Sequence, residues 1–217
     1  NKGNHIITTP IEHHAIIHTG KFLEKNGFEV TYLPVDEEGF VKVEDVKNAI
    51  TEKTILVSIM FANNEIGTIE PIKEIGQVCR EKKVLFHTDA VQAIGHVKID
   101  VKDMNIDLLS LAGHKFYGPK GIGALYIRRG IKIENLIHGG GQERGRRAST
   151  ENIASIVGIG KAIELATSEL EEEAQRLNNL RNKLVKGIME KIPYTKLNGP
   201  SDDRRLPGNS DFSFIGT

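Results

Sequence analysis

Residues 107–129, DLLSLAGHKFYGPKGIGALYIRR, decide how the chain is read. An apolar run at 107–113 ends in a basic pair, His114 and Lys115, and a glycine-rich link leads into a second apolar run at 123–129. Runs that are apolar at nearly every position suit strands covered on both faces, as in a parallel sheet packed between helices. A lysine at the end of such a strand sets an ammonium group where a buried sheet opens onto a loop.

The same grammar continues upstream. Further strands are expected at 5–9 (HIITT), 28–34 (FEVTYLP), 54–61 (TILVSIMF) and 84–90 (VLFHTDA). Between them, helical patterns cover 13–26, 43–51 and 71–82, with a short helix expected near 100–105. This alternation predicts an α/β domain with a mostly parallel sheet, helices on both faces and right-handed crossovers. From Thr150 the pattern changes. Ile153, Ile156, Val157, Ile163, Leu177, Leu180, Leu184 and Ile188 keep near-helical spacing, so the segment reads as one long helix bridging two domains. The expected division is a large domain at 1–168, then a bridging helix and the start of a smaller domain at 169–217.

Composition narrows the classes. The 217 residues are 39% apolar and 27% charged, with 29 basic and 29 acidic side chains. No net field recruits nucleic acid or an anionic membrane. No apolar run approaches the roughly 20 residues of a membrane span, and the opening NKGNHIITTP has no signal-peptide pattern. A single cysteine excludes an internal disulfide framework and makes the cytoplasm the expected compartment. Both ends, NKGNHIITTP and GNSDFSFIGT, read as cuts through a larger protein.

Ligands of open α/β sheets sit at the carboxyl ends of strands. Four polar groups follow strands here: IEHH (11–14), NNE (63–65), TDAVQ (88–92) and GHK (113–115). Together they are expected to converge on one crevice. A partly desolvated lysine has its pKa lowered, and the neutral amine attacks carbonyls to form a Schiff base. Pyridoxal phosphate (PLP) enzymes use such a lysine together with a carboxylate against the pyridine nitrogen. Asp89 is placed for that carboxylate, and Gln92 for a hydrogen bond to the phenolate oxygen.

Each residue also has an ordinary reading. Lys115 is a solvated strand-end lysine, Asp89 a helix N-cap, and His13 and His14 surface residues. His14 and His18 have metal-ligand spacing without an acidic or cysteine partner, so no metal site is expected. Cys79 falls on the apolar face of IKEIGQVCREKK and reads as core. GPKGIG lacks the Ser or Thr frame of a P-loop. HGGGQ (138–142) has the look of an oxyanion segment, yet no G-x-S-x-G elbow accompanies it. GGGQERGRRAST suits a phosphate site, a subunit contact or a mobile loop.

The segments TPIEHHA, ILVSIMFANNEIGTI, FHTDAVQAIG, SLAGHKFYGPKGIGALY and HGGGQERGRRAST, in this order, resemble the class V (NifS/IscS-like) cysteine desulfurases of PLP fold type I. The resemblance implies the large domain of that fold, a mostly parallel mixed sheet covered by helices, plus the start of a smaller α+β domain. It implies that Lys115 binds PLP covalently and moves protons at the substrate α-carbon. His13 would stack on the ring and act in acid–base steps. Asp89 would pair with the ring nitrogen and Gln92 with the phenolate oxygen, Asn64 would lie near the ring and the substrate carboxylate, and His114 would hold the phosphate. Thr150 would reach the phosphate of the partner subunit in a homodimer.

The implied reaction converts L-cysteine to L-alanine, passing sulfur as an enzyme persulfide toward iron–sulfur scaffold proteins or tRNA-thiolation carriers. One departure is Ala112, where many members place a phosphate-binding serine. The family's N-terminal phosphate-binding turn, nucleophilic cysteine loop and substrate-gripping arginine are absent from these 217 residues, so this polypeptide alone is not expected to complete desulfuration. Alternatives are selenocysteine lysis or transamination on the same residues, or a non-catalytic dimerisation or docking fragment.

Overall fold

The computed structural model describes residues 3–216. Six strands form its central sheet: β1 (His5–Thr8), β2 (Glu29–Tyr32), β3 (Thr54–Ser58), β4 (Leu85–Asp89), β5 (Leu108–Ala112) and β6 (Gly123–Ile127). Their order is β2-β1-β3-β4-β5-β6. The first five run parallel, and β6 returns antiparallel to β5, with Ala112 opposite Gly123 and Leu108 opposite Ile127. The expected α/β architecture is therefore present.

Alternation along each strand builds the two faces. Ile7, Val57, Phe86 and Leu109 point to one side and form the main core with Val46, Ile72, Ile75 and Cys79. Those four come from α2 (Val43–Ala49) and α3 (Ile72–Lys82). In α3 the buried positions 72, 75, 76 and 79 fall on one stripe, which fixes how the helix lies. Lys83 ends it in the left-handed conformation (φ 58°), returning its N–H to Arg80 and Cys79 carbonyls. Phe86 and Ile75 are fully buried, each contributing about 1.5–3 kcal/mol relative to exposure. The opposite face carries Ile6, Leu56, Ser58, His87 and Ser110, over which α1 (His14–Lys25) lays Ile16, Gly20 and Leu23 beside a groove of about 310 Å³.

Three expectations need correction. The stretch 100–105 is turn, not helix: the Asp100 carboxylate accepts from the Lys102 and Asp103 N–H groups, and Asn105 takes φ 53°. The long helix is two, α4 (Ile153–Ser168) and α5 (Leu170–Lys191), broken at Glu169 (φ −102°, ψ 5°). At the break, Thr167 and Ser168 donate to the Ile163, Glu164 and Leu165 carbonyls, local bonds that compete with the backbone ladder. Glu171, Glu172 and Glu173 then suit the first turn of a new helix, whose dipole favours anions there. Strand β3 ends at Ser58 rather than residue 61, although Ile59 and Phe61 still donate to the His87 and Asp89 carbonyls.

Smaller elements complete the fold. β7 (Gly141–Gln142) and β8 (Arg147–Ala148) pair across the glycine- and arginine-rich segment, and β9 (Thr195–Leu197) pairs with β10 (Phe212–Phe214). α4 packs on the segment after β5: Gly158 lies against Pro119 and Gly118 against Ala162, so closely that added Cβ atoms would crowd both.

Candidate active site

The sheet order places a topological switch between β1 and β3, because β2 continues on the far side of β1 while β3 opens the run toward β6. Ligand crevices of open α/β sheets form at such points. A cleft of about 490 Å³ opens there, lined by Glu12, His13, His14, Asn63, Asn64 and Glu65 among others.

His13 follows β1 as the N-cap of α1. Its Nδ1 accepts the Ala15 N–H at 3.2 Å, so the neutral ring carries its proton on Nε2. His14 and His18 stack with centroids 5.1 Å apart, and among the described residues no group of three or more His, Cys, Asp and Glu could hold a metal ion. Asn63, buried after β3, joins the two loops of the cleft. It donates from Nδ2 to the Ile11 carbonyl at 3.0 Å and accepts the Glu65 and Ile66 N–H groups at 2.8 and 3.1 Å. Asn64 beside it is exposed.

Glu12 belongs to the IEHH group, but sequence reasoning assigned it no role of its own. Only 6% exposed, its Oε1 accepts from the Thr9 hydroxyl at 3.0 Å and the Met60 N–H at 2.7 Å, while Oε2 has no partner. Burial chiefly, with Asp89 a smaller cause, pushes its pKa up to about 8. It is a neutral acid at pH 7.

Asp89 ends β4, half-buried. Its Oδ1 accepts the Val91 N–H at 3.0 Å, and Oδ2 is left without a hydrogen bond among the described residues. The capping and the ligand-facing readings of Asp89 are thus compatible, one oxygen for each, although turn rather than helix follows it. Gln92 lies half-buried in that turn. Two residues before Asp89, on the same face, His87 bridges three strands: Nδ1 meets Ser58 Oγ at 2.8 Å and Nε2 meets Ser110 Oγ at 2.9 Å. Burial drives the His87 pKa down to about 4, so the ring is neutral. This histidine too went unnoticed in the sequence; its only signal is a polar residue interrupting an apolar run.

Lys115 sits in a 3-10 turn, Gly113–Phe116, directly after β5. Asp89 and Ser110 are Cα partners, and the Ala90 N–H donates to the Ser110 carbonyl at 3.0 Å, so the two functional strand ends are neighbours. The turn is pinned by Gly113 donating to Ile122 at 2.9 Å and Gly118 donating to Gly113 at 2.8 Å. Lys115 is exposed, with no hydrogen bond or ion pair among the described residues. The desolvation expected of it is not supplied by these residues, but the amine is free.

His114 and Thr150 are exposed as well. The cleft thus gathers His13 and Asn64, whereas Lys115, Asp89 and Gln92 line the adjoining strand ends outside it. A free amine, a carboxylate with one open oxygen and an imidazole with a fixed tautomer form a donor set suited to PLP. Ala112 offers no hydroxyl to it.

The family model for aminotransferase class-V matches residues 1–217. The chain belongs to the class-V aminotransferase family. It is 75% identical over 216 residues to a cysteine desulfurase IscS of Clostridium botulinum (strain Hall), covering 99% of this chain and 54% of that protein. The IscS of Methanosarcina thermophila is 62% identical over 214 residues, with 99% and 52% covered. The chain spans about half the length of the curated relatives it matches. Among solved structures, a NifS-like protein superposes with a TM-score of 0.93 at 45% identity, covering 99% of this chain and 58% of that one. A structure described as SspA in complex with cysteine gives 0.85 at 43%, with 99% and 59% covered. Within this family, Cys79 is core as expected: it is 1% exposed, and burial pushes its thiol pKa up to about 12. Among the described residues no helix is long and apolar enough to cross a membrane.

Proposed function

We propose that the protein containing this chain is a PLP-dependent cysteine desulfurase, converting L-cysteine to L-alanine and passing the sulfur to a cysteine thiolate as a persulfide. The observation that carries this reading is the free amine of Lys115 in the turn directly after β5, the strand next to the one that ends in Asp89, in a chain 75% identical to a protein named for that reaction. When bound, PLP supplies an electron-withdrawing ring that stabilises negative charge at the substrate α-carbon.

The protein's own groups do the rest. Lys115 would hold the cofactor aldehyde covalently, and its amine would move the proton at the substrate α-carbon. Asp89 Oδ2 accepts from the ring N–H, and Gln92 donates to the phenolate oxygen. His13 stacks on the ring and offers its Nε2 proton, and Asn64 orients the substrate carboxylate. His114 holds the phosphate, with Thr150 supplied across a homodimer. Cys79 is not the sulfur acceptor, because a buried thiol with a pKa of about 12 forms almost no thiolate at neutral pH. Iron–sulfur scaffold or sulfur-carrier proteins are the proposed recipients, and the domain division at 168/169 belongs to the same proposal.

The test uses the full-length protein. Visible absorbance after PLP uptake, bleached by borohydride and missing in Lys115→Ala, is expected, together with alanine released from L-cysteine in step with persulfide. Uptake of PLP with a different amino acid consumed would move the assignment to another class V reaction. No PLP uptake would refute it.

A further inference from the structure

The segment 198–209 is fastened to the loop that carries Asn64, and the fastening is built from buried polar contacts. Arg205 is 2% exposed, yet every acceptor it bonds is neutral. Its Nε donates to the Pro200 carbonyl at 2.5 Å, Nη2 to the Asn198 carbonyl, and Nη1 to Asn209 Oδ1 at 2.5 Å. With its oxygen taken, Asn209 turns Nδ2 to two backbone carbonyls at once, Asn64 and Glu65, each at 2.9 Å. Backbone contacts run beside it: Leu206 donates to Gly67 and Ile69 to Arg204, both at 2.8 Å. The approach is so close that a Cβ on Gly67 would collide with Asn209 Oδ1. Arg181 of α5 joins in, donating to the Leu206 carbonyl at 3.2 Å.

A buried guanidinium loses hydration, and it is tolerated only where its donors are met. Here three oxygens meet three of its five N–H donors, and one of the acceptors is an asparagine whose amide is thereby aimed at the backbone of residues 64 and 65. That loop is also held by Asn63, whose Oδ1 accepts the Glu65 and Ile66 N–H groups and whose Nδ2 donates to the Ile11 carbonyl in the loop before His13. The side chain of Asn64 itself makes no hydrogen bond among the described residues, so its position is set entirely by this backbone.

We propose that Asn209, oriented by Arg205, is a positioning residue that fixes the Asn64–Glu65 backbone and thereby sets where Asn64 meets the substrate carboxylate. This rests on the functional reading above for the role of Asn64, and on geometry alone for the fastening. A group held by two such contacts loses binding first when they go, because substrate orientation rather than proton transfer is disturbed.

Asn209→Asp separates the two sets of contacts that Asn209 makes. A carboxylate keeps and strengthens the Arg205 contact, while presenting oxygen instead of N–H to the two carbonyls. In the full-length protein we expect faster hydrogen exchange across residues 63–67 with β3 unchanged, unchanged PLP absorbance, KM for L-cysteine raised about tenfold and kcat within about twofold. Asn209→Ser, too short to span both carbonyls, should do the same with a milder KM rise, and serves if the aspartate variant does not fold. Unchanged exchange across 63–67 overturns the fastening. Faster exchange with unchanged KM, or equal losses of melting temperature, PLP and both kinetic constants, overturns the positioning role. A wild-type protein that takes up no PLP overturns the functional reading and the positioning role with it, while the exchange arm still decides the fastening.

Discussion

Replacing Glu12 with glutamine should change the pH dependence of stability in one direction only. Glu12 has an ordinary pKa of 4.5 and a folded value of about 8. Its contribution to stability is therefore fully present below about 4.5, and is lost as pH rises toward 8, because the unfolded chain ionises first. Each pH unit inside that window corresponds to about 1.4 kcal/mol for a fully buried group, so the loss between pH 5 and 7 is about 2–3 kcal/mol. Water reaching Oε2 would reduce it. The glutamine side chain retains an oxygen for the Thr9 hydroxyl and the Met60 N–H, and has nothing to ionise. At pH 5 the variant should lie within about 1 kcal/mol of wild type, since each carries unpaired N–H or O–H groups at that site. Above pH 7 it should be the more stable protein. Urea denaturation of both proteins at half-unit steps from pH 5 to 8.5 measures the difference, and subtraction removes titrations they share, including those of Glu70 and His87. Parallel curves would refute the reasoning, for Glu12 would then be ionised in the folded state. The consequence for the site is electrostatic: a neutral Glu12 leaves Asp89 without a second carboxylate charge beside it.

Other outcomes follow from single contacts. His87→Asn keeps polarity but cannot bridge Ser58 and Ser110, so it should cost about 1–3 kcal/mol, read as a lowered melting temperature at pH 7. The stabilising effect of His87, whose pKa is about 4 in place of 6.5, is present above about pH 6.5 and fades as pH falls toward 4, so the gap between the two proteins should narrow in acid. Cys79→Ser should leave desulfuration of L-cysteine within about twofold of wild type, and native Cys79 should resist alkylation at pH 8 until the protein unfolds; rapid labelling would refute its burial. Ala112→Ser restores one hydroxyl near the proposed phosphate position, worth about 1 kcal/mol, so PLP should dissociate about fivefold more slowly, as followed by loss of visible absorbance into apo-protein traps.

The strands were legible because a parallel sheet covered on both sides demands continuous apolar runs, and β3, β4 and β5 have them. Their ends were less so. TILVSIMF reads as strand throughout, yet the strand ends at Ser58; residues 59–61 are buried in the core, and Ile59 and Phe61 keep backbone bonds to the His87 and Asp89 carbonyls. The long apolar periodicity after Thr150 hid a break at Glu169, since the spacing of Ile163 and Leu177 says nothing about the backbone conformation of the one residue between α4 and α5. Four strand-end clusters were recognised as a group, and the structure gathers two of them, around His13 and Asn64, into one cleft. What remained hidden were polar residues whose meaning depends on burial. Glu12 and Asn63 are read only as members of strand-end clusters, and His87 and Asn209 stand in none; tertiary contacts alone turn the four into a neutral acid, a loop tie, a strand bridge and a backbone clamp.

Sheet order alone says how one ligand can touch residues that the cleft does not unite. The functional strands lie side by side as β1-β3-β4-β5, and neighbouring strands are about 4.8 Å apart. The carboxyl ends of β1 and β5, after which the chain reaches His13 and Lys115, are therefore separated by three such steps, roughly 14 Å. Neither side chain spans that gap, and a small amino acid alone is too short for it. A ligand in contact with both would lie across the ends of β3 and β4, the second of which ends in Asp89. The half-buried Asp89, with one oxygen tied to Val91 and the other open, is then the natural partner for a cationic ring edge at the middle of that span. In the proposed site, Lys115, Asp89 and His13 would hold the cofactor ring from their separate loops, and the proposed fastening of the Asn64 loop by Asn209 would keep Asn64 in place beside it.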